Sequence, residues 1–286
     1  MRDLIPEILV PRPVAELTAA EVVDALNRAF EGYLVPVRFT PENYERRLRG
    51  EHLDPFASRV YLYEGEPAGV ILVARRGWTS RVAAMAVVPA ARGQGVGRWM
   101  LAEAIGEARA RGDRAMLLEV FEPNTRAVGL YKALGFRVLH RLVGYRLPPA
   151  PTPSEGADAL EEVDPAELAR FVLREGEPGL PWMLAGETMV GASFPARAYR
   201  LGGHAYALVA DTDAEVISIV SLAVARAERR RGWGRRMVRA LGAAFPGRAL
   251  VVRQLVPEPL APGFFAALGW EPLPLAQLEI RLDLGA

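Results

Sequence analysis

Between two apolar stretches the chain reads Arg92-Gly93-Gln94-Gly95-Val96-Gly97-Arg98. Glycine removes the Cβ from a tight turn, so backbone N–H groups can close around an anion where a following helix begins. The helix dipole adds to that pull. Such a run also serves as a plain strand-to-helix turn, and the cradle reading gains from its recurrence as Arg229-Arg230-Arg231-Gly232-Trp233-Gly234. Two further side chains have usable chemistry. Glu119 interrupts the apolar run Met116-Leu117-Leu118-Glu119-Val120, so it lies on an exposed strand face, pairs with a cation, or accepts a proton. Tyr131 carries a phenol that keeps its proton at neutral pH and can lend it to a leaving group, or else is an aromatic at the edge of the core.

The elements that position these residues follow from local signals. Thr18 with Glu21 forms a capping box and opens a helix toward Phe30. Thr40 followed by Pro41 opens a second helix. Val60–Tyr63 and Gly69–Ala74 read as strands of a hairpin turning through Glu64-Gly65-Glu66, and 82–88 as a further apolar strand. From Gly97 to Arg111, Met100, Leu101, Ala104, Ile105 and Ala108 share one helical face, and Gly112 ends it. Ala115–Val120 is a strand, Thr125–Leu134 a helix and Arg137–Leu147 a closing strand. Strands first meander and then alternate with helices, which predicts an α/β (α+β) fold with a mixed, mostly antiparallel central sheet flanked by helices.

The chain repeats itself. Arg229 follows Arg92 by 137 residues, and Phe264-Phe265-Ala-Ala-Leu268-Gly269-Trp270 follows Leu130-Tyr131-Lys-Ala-Leu134-Gly135-Phe136 by 134. Ordered matches at nearly one spacing mark a duplication. Pro148-Pro149-Ala150-Pro151-Thr152-Pro153 marks the seam, giving domains over 1–147 and 157–286 with a proline-rich linker over 148–156. The copies differ where chemistry was located: Glu119 falls on Arg253, Asn124 on Glu258 and Tyr131 on Phe265. The second copy is therefore expected to be catalytically degenerate, with Arg229, Gly232 and Gly234 left as a second anion loop.

Bulk properties exclude several classes. With a net charge of +1 among 286 residues, nothing draws the chain to nucleic acid or an anionic membrane. There is no cysteine, which removes disulfides, thiolate metal sites and a cysteine acyl-enzyme. The three histidines are scattered, so no metal is expected. No apolar run spans a bilayer and no signal peptide opens the chain, so a cytoplasmic location is expected. A dinucleotide fingerprint fails, because its third glycine would fall on Arg98 or Met100.

Strand, Arg-x-x-Gly-x-Gly, helix, strand, Asn124-x-x-Ala127-x-x-Leu130-Tyr131 and Leu134-Gly135-Phe136, in that order, resemble the GNAT superfamily of acetyl-CoA-dependent N-acyltransferases. The resemblance is strong over 82–145 and weaker over 216–282. It implies that Arg92, Gly93, Gln94, Gly95, Val96, Gly97 and Arg98 hold the pyrophosphate of acetyl-CoA. It further implies that the main chain of Met85 and Val87 pairs with the pantetheine arm, and that Asn124 contacts the cofactor or braces the site. Direct transfer to a small-molecule or peptide amine is then expected, with Tyr131 as acid and Glu119 or a water relay as base. The segment from Phe30 to Phe56 would shape the acceptor pocket, and the two domains could form an intramolecular pseudo-dimer. Two other readings stand beside this one: a CoA-binding regulatory module without turnover, and acyl transfer to a thiol or hydroxyl.

Overall fold

The computed structural model describes residues 9–149 and 158–285. From residue 150 onward, the expected linker lies outside the described residues. In chain order the first half runs β1 (Val10–Pro13), α1 (Ala19–Ala29), α2 (Pro41–Gly50), β2 (Arg59–Tyr63), β3 (Glu66–Arg76), β4 (Thr79–Val87), α3 (Val96–Ala110), β5 (Ala115–Phe121), α4 (Thr125–Ala133) and β6 (Arg137–Leu147). The second runs β7 (Glu161–Val163), α5 (Pro165–Glu175), α6 (Gly186–Val190), β8 (Arg197–Leu201), β9 (Ala205–Val209), β10 (Val216–Val224), α7 (Trp233–Ala244), β11 (Ala249–Pro257), α8 (Pro262–Ala266), β12 (Glu271–Pro272) and β13 (Gln277–Asp283). Among the described residues no helix is long and apolar enough to cross a membrane.

Two compact units emerge, Met1–Leu139 with Glu279–Ala286, and His140–Leu278. In the first, strands lie in the order β1-β2-β3-β4-β5-β13. Thr18 and Thr40 both close capping boxes, with Glu21 and Asn43 as their partners, so α1 and α2 begin where the sequence places them. Between β2 and β3, Glu64 and Gly65 both take positive φ, as a two-residue hairpin turn requires. Helix α3 buries Val96, Met100, Leu101, Ala104, Ile105 and Ala108 against the sheet. Gly69 lets it come close, since a Cβ there would stand 2.7 Å from Met100 Sδ. As the crossover, α3 makes β4 and β5 parallel neighbours.

In the second unit the order is β6-β11-β10-β9-β8-β7, with β12 also paired to β6. The linear halves and the compact units thus differ by one strand each. Strand β6, expected to close the first half, contributes Val143, Tyr145 and Leu147 to the core of the second unit. Strand β13 lies beside β5 in the first unit, where Ile280, Leu282 and Leu284 are buried. Both strands are the last of their repeat, and each is apolar enough to fill either place.

Candidate functional site

Loop 92–95 leads into α3, where the sequence places an anion cradle. Gly93 and Gly95 have φ of 84° and 89°, a region that L residues enter at a cost of about 1–2 kcal/mol. Gly95 is the N-cap and offers no side chain, and the first helical bond runs from Trp99 N–H to the Gly95 carbonyl at 3.0 Å. The amides of Val96, Gly97 and Arg98 therefore have no acceptor within the helix. Arg98 is exposed beside them, and Arg126 at the start of α4 reaches over the loop. Its Nη2 lies 3.3 Å from where a Gly93 Cβ would stand. Arg126 carries no local sequence signal; folding alone brings it to the loop.

The side chains of Arg92 and Gln94 bond to nearby main chain. The Gln94 amide donates to the Ala90 carbonyl at 2.9 Å and stiffens the turn. Arg92 donates through Nε to Val87 O at 2.9 Å, and through Nη2 to Ala29 O at 3.0 Å and Glu31 O at 2.5 Å. Ala29 ends α1, so the guanidinium satisfies an orphan carbonyl at the negative end of a helix. Arg229 repeats the arrangement: Nε donates to Val224 O at 3.2 Å, Nη2 donates to Glu175 O at the end of α5, and Nη1 pairs with Glu177. Both arginines brace the fold through these bonds.

The strand edge next to the cradle is open. Val88 N–H donates to Ala68 O at 3.0 Å, on the β3 side. Strand alternation then turns the main chain of Val87 and Met85 toward the β5 side. There β5 pairs with β4 only from Thr79↔Ala115 to Val82↔Leu118, and beyond that point the strands part. Side chains from β4 and α4 meet Gly97 of α3 at this opening. A Cβ on Gly97 would lie 3.7 Å from both Met85 Cε and Val87 Cγ2, and 3.9 Å from Leu130 Cδ2 of α4.

Asn124 N-caps α4, its carbonyl accepting from Ala127 N–H at 3.2 Å. Tyr131 is buried about two turns further along the same helix. Burial, and after it the nearby Tyr33, pushes the Tyr131 phenol well above its ordinary pKa, so it keeps its proton. Burial also raises Tyr33, against the opposing effect of its hydrogen bond with Asn124. Tyr33 meets Phe30 edge-on at 5.2 Å and Phe121 at 6.5 Å. Beside these rings lies an open groove of about 540 Å³ lined by Asn27, Phe30, Tyr33, Val35, Val37 and Arg38.

Glu119 is held by a cation. Arg81 donates to both its oxygens, Nε at 3.0 and 2.9 Å and Nη2 at 2.7 Å, with both side chains only 7% exposed. Arg81 also reaches Glu51 at 2.8 Å, and Glu51 pairs with Arg47 at 2.5 Å. Burial would raise the Glu51 pKa, but Arg47 and Arg81 hold it down at about 2.

The second unit keeps the frame and fills the opening. Gly232 caps α7 at φ 88°, and Arg230, in the place of Gly93, still takes φ 64°. Strand β10 pairs with β11 only as far as Ser218↔Val251 and has an irregularity at the same point as β4. Phe264 replaces Leu130, and its ring would lie 2.9 Å from a Cβ on Gly234. Phe265, in the place of Tyr131, stacks on Tyr145 at 4.0 Å and meets Trp270 edge-on at 5.6 Å. Leu222 and Val224, equivalent to Met85 and Val87, pack against that cluster. Glu258 pairs with Arg141 at 2.6 Å instead of capping a helix, and Arg253 is exposed.

Residues 20–136 match the acetyltransferase (GNAT) family. Among solved structures, a GCN5-related N-acetyltransferase from Sphaerobacter thermophilus has a TM-score of 0.71 at 16% identity, covering 99% of this chain and 98% of that one. A putative acetyltransferase from Pyrococcus horikoshii has a TM-score of 0.70 at 16% identity, covering 99% and 92%. A tandem GNAT protein from the clavulanic acid biosynthesis pathway has a TM-score of 0.65 at 19% identity, covering 97% and 98%. At these identities the likeness shows the fold, a tandem GNAT fold over the whole chain. No curated protein sequence matches the chain.

Proposed function

We propose, since residues 20–136 make this chain a member of the acetyltransferase (GNAT) superfamily, that its first unit moves an acetyl group from acetyl-CoA to an amine. One observation carries the reading: an uncapped helix start flanked by Arg98 and Arg126 adjoins a strand edge that its neighbour abandons past Val82. The first feature suits a pyrophosphate, and the second suits an extended arm bearing amides. When bound, acetyl-CoA supplies an activated acyl carbon and a thiolate leaving group.

The chain's own residues would do the rest. Gly93, Gly95, Val96, Gly97 and Arg98 hold the phosphates through main-chain N–H groups, and Arg98 and Arg126 neutralise them. Met85 and Val87 align the arm. Tyr131, kept protonated by burial, gives its proton to the departing sulfur as the C–S bond breaks and the C–N bond forms. Solvent then reprotonates it. The ammonium proton leaves through water, because Glu119 is engaged on both oxygens by Arg81. Asn124 braces Tyr33 and the start of α4, and the aromatic groove between α1 and α2 receives the acceptor. Phe264 and Phe265 support the view that the second unit, including Arg229, Gly232 and Gly234, does no such chemistry.

The test is thiol release from acetyl-CoA over a panel of amines, with the fold of each variant checked by circular dichroism. Gly95→Glu should abolish release by placing a carboxylate and a strained φ at the anion site. Gly232→Glu should leave it nearly intact. Loss of release in a folded Gly232→Glu variant alone would overturn the division of labour, and no release with any amine would overturn the activity.

A further inference from the structure

Most polar side chains along the groove beside Tyr33 are engaged by the protein itself. Asn27 clamps the loop between α1 and α2: its Nδ2 donates to Phe39 O at 3.0 Å, and its Oδ1 accepts from Phe39 N–H at 2.9 Å. Arg28 pairs with Glu66 at 2.7 Å and with Asp24 at 3.5 Å. The Tyr33 hydroxyl bonds with Asn124. Among the described residues, no hydrogen bond or ion pair takes up the side chains of Glu31 and Arg38, which also line the groove and are exposed. These two charges stand at opposite ends of one anchored loop. At the first end, Arg92 of loop 92–95 donates to Glu31 O at 2.5 Å and ties Glu31 to the start of α3. At the second, Asn43 of α2 donates to Arg38 O at 3.1 Å. Between them, Val35 and Val37 join Phe30 as apolar walls. Tyr33 links this space to Asn124 and to the buried Tyr131.

The second unit disposes of the matching groups differently. Helices α1 and α5 both end where a bracing arginine takes their last carbonyl, which sets Glu177 against Glu31. Arg229 pairs with Glu177, Trp182 is buried, and Leu180 packs on the core cluster that includes Leu168 and Phe171. There the segment after the helix folds inward and its acid is spent. In the first unit Leu34 and Val37 stay exposed, and the charges at either end stay available. The fold therefore does not require this loop to be open, apolar and charged at both ends.

On the acyl-transfer reading given above, we propose that the acceptor is an amine joined through an apolar stem to a carboxylate, with Glu31 drawing in the ammonium and Arg38 pairing with the carboxylate. The stem gains by leaving water for Phe30, Val35 and Val37, and each end meets its opposite charge. Three residues of chain span at most about 10 Å, so a six-carbon amino acid can lie along Val35-Pro36-Val37. A wholly apolar amine would leave Arg38 without a partner, and a diamine would bring a second cation against it. The amine gives its proton to water before it attacks. Once acetylated it is neutral, loses its attraction to Glu31, and leaves more readily.

The test compares three acceptors on the full chain at saturating acetyl-CoA: 6-aminohexanoate, hexylamine and 1,6-diaminohexane. In kcat/KM the wild type should favour the amino acid over hexylamine by roughly 5- to 10-fold, a modest factor because water weakens an ion pair at an open groove. The diamine should be used least. Arg38→Gln should bring the ratio of amino acid to hexylamine near one, Arg38→Lys should keep most of it, and Arg38→Glu should reverse the order in favour of the diamine. Arg38 is exposed, so these changes leave the core intact. Glu31→Gln should raise KM for all three compounds with a smaller change in kcat. Calorimetric titration of the same compounds into the chain with CoA present needs no turnover and should give the same order. A wild type that binds and uses hexylamine or the diamine as well as the amino acid, binds none of them, or keeps its order in Arg38→Glu would overturn the assignment. A wild type that binds 6-aminohexanoate most tightly through Arg38 yet acetylates no amine would overturn the acyl-transfer reading and leave the groove's preference standing.

Discussion

Tyr131→Phe should lower kcat by roughly 10²-fold or more, the range expected when a general acid is lost, while affinity for acetyl-CoA stays unchanged. The phenol is buried and keeps its proton, so it can act only as a donor. The ring edge-on to Phe136 at 6.0 Å is retained by phenylalanine, which confines the change to one hydroxyl. The second unit already contains this substitution at Phe265, in a well-packed cluster, so the fold tolerates it. Stopped-flow thiol release beside calorimetric binding separates the two quantities. Unchanged turnover would retire Tyr131 as the acid.

A comparably large effect is expected from a change far away in sequence. Deleting residues 277–286 should unfold the first unit, although every proposed catalytic residue remains. The deleted segment buries Ile280, Leu282 and Leu284, and Leu284 N–H donates to Arg114 O at 2.9 Å. At about 1.5–3 kcal/mol for each buried side chain, the loss is roughly 5–9 kcal/mol. That equals most of the 5–15 kcal/mol by which an ordinary domain is stable. Hydrogen exchange at Val70–Val73 of β3, buried strand positions of the first unit, reads the outcome. Full protection in the truncated chain would show that the first unit does not depend on β13.

Much of this architecture was legible in local sequence. Capping boxes at Thr18 and Thr40, the apolar face of α3 and the turn at Glu64-Gly65 each depend on neighbours a few residues away. The repeat exposed the duplication, and the glycines at 93 and 95 marked the tight turn into α3. What escaped depends on distant partners. The carbonyls that Arg92 satisfies leave no trace in sequence, yet one signal was present. Arg229 persists in the copy that lost Tyr131 and Glu119, as a brace would and a ligand need not.

Which of the roles open to Glu119 involves an ion pair was hidden because its partner lies on another strand. Arg81 stands just before the apolar run starting at Val82, and only the β4/β5 register brings the two charges together. The exchange of last strands was illegible for a different reason. Strands β6 and β13 occupy the same place in their repeats, so apolar patterning fits both to either sheet.

Calorimetric titration of CoA into the full-length chain tests the central claim most directly. One site per chain is expected, its affinity falling as salt rises, because Arg98 and Arg126 meet the phosphates at an exposed surface. No binding, or two equivalent sites, would contradict a single cradle in the first unit beside a filled one in the second.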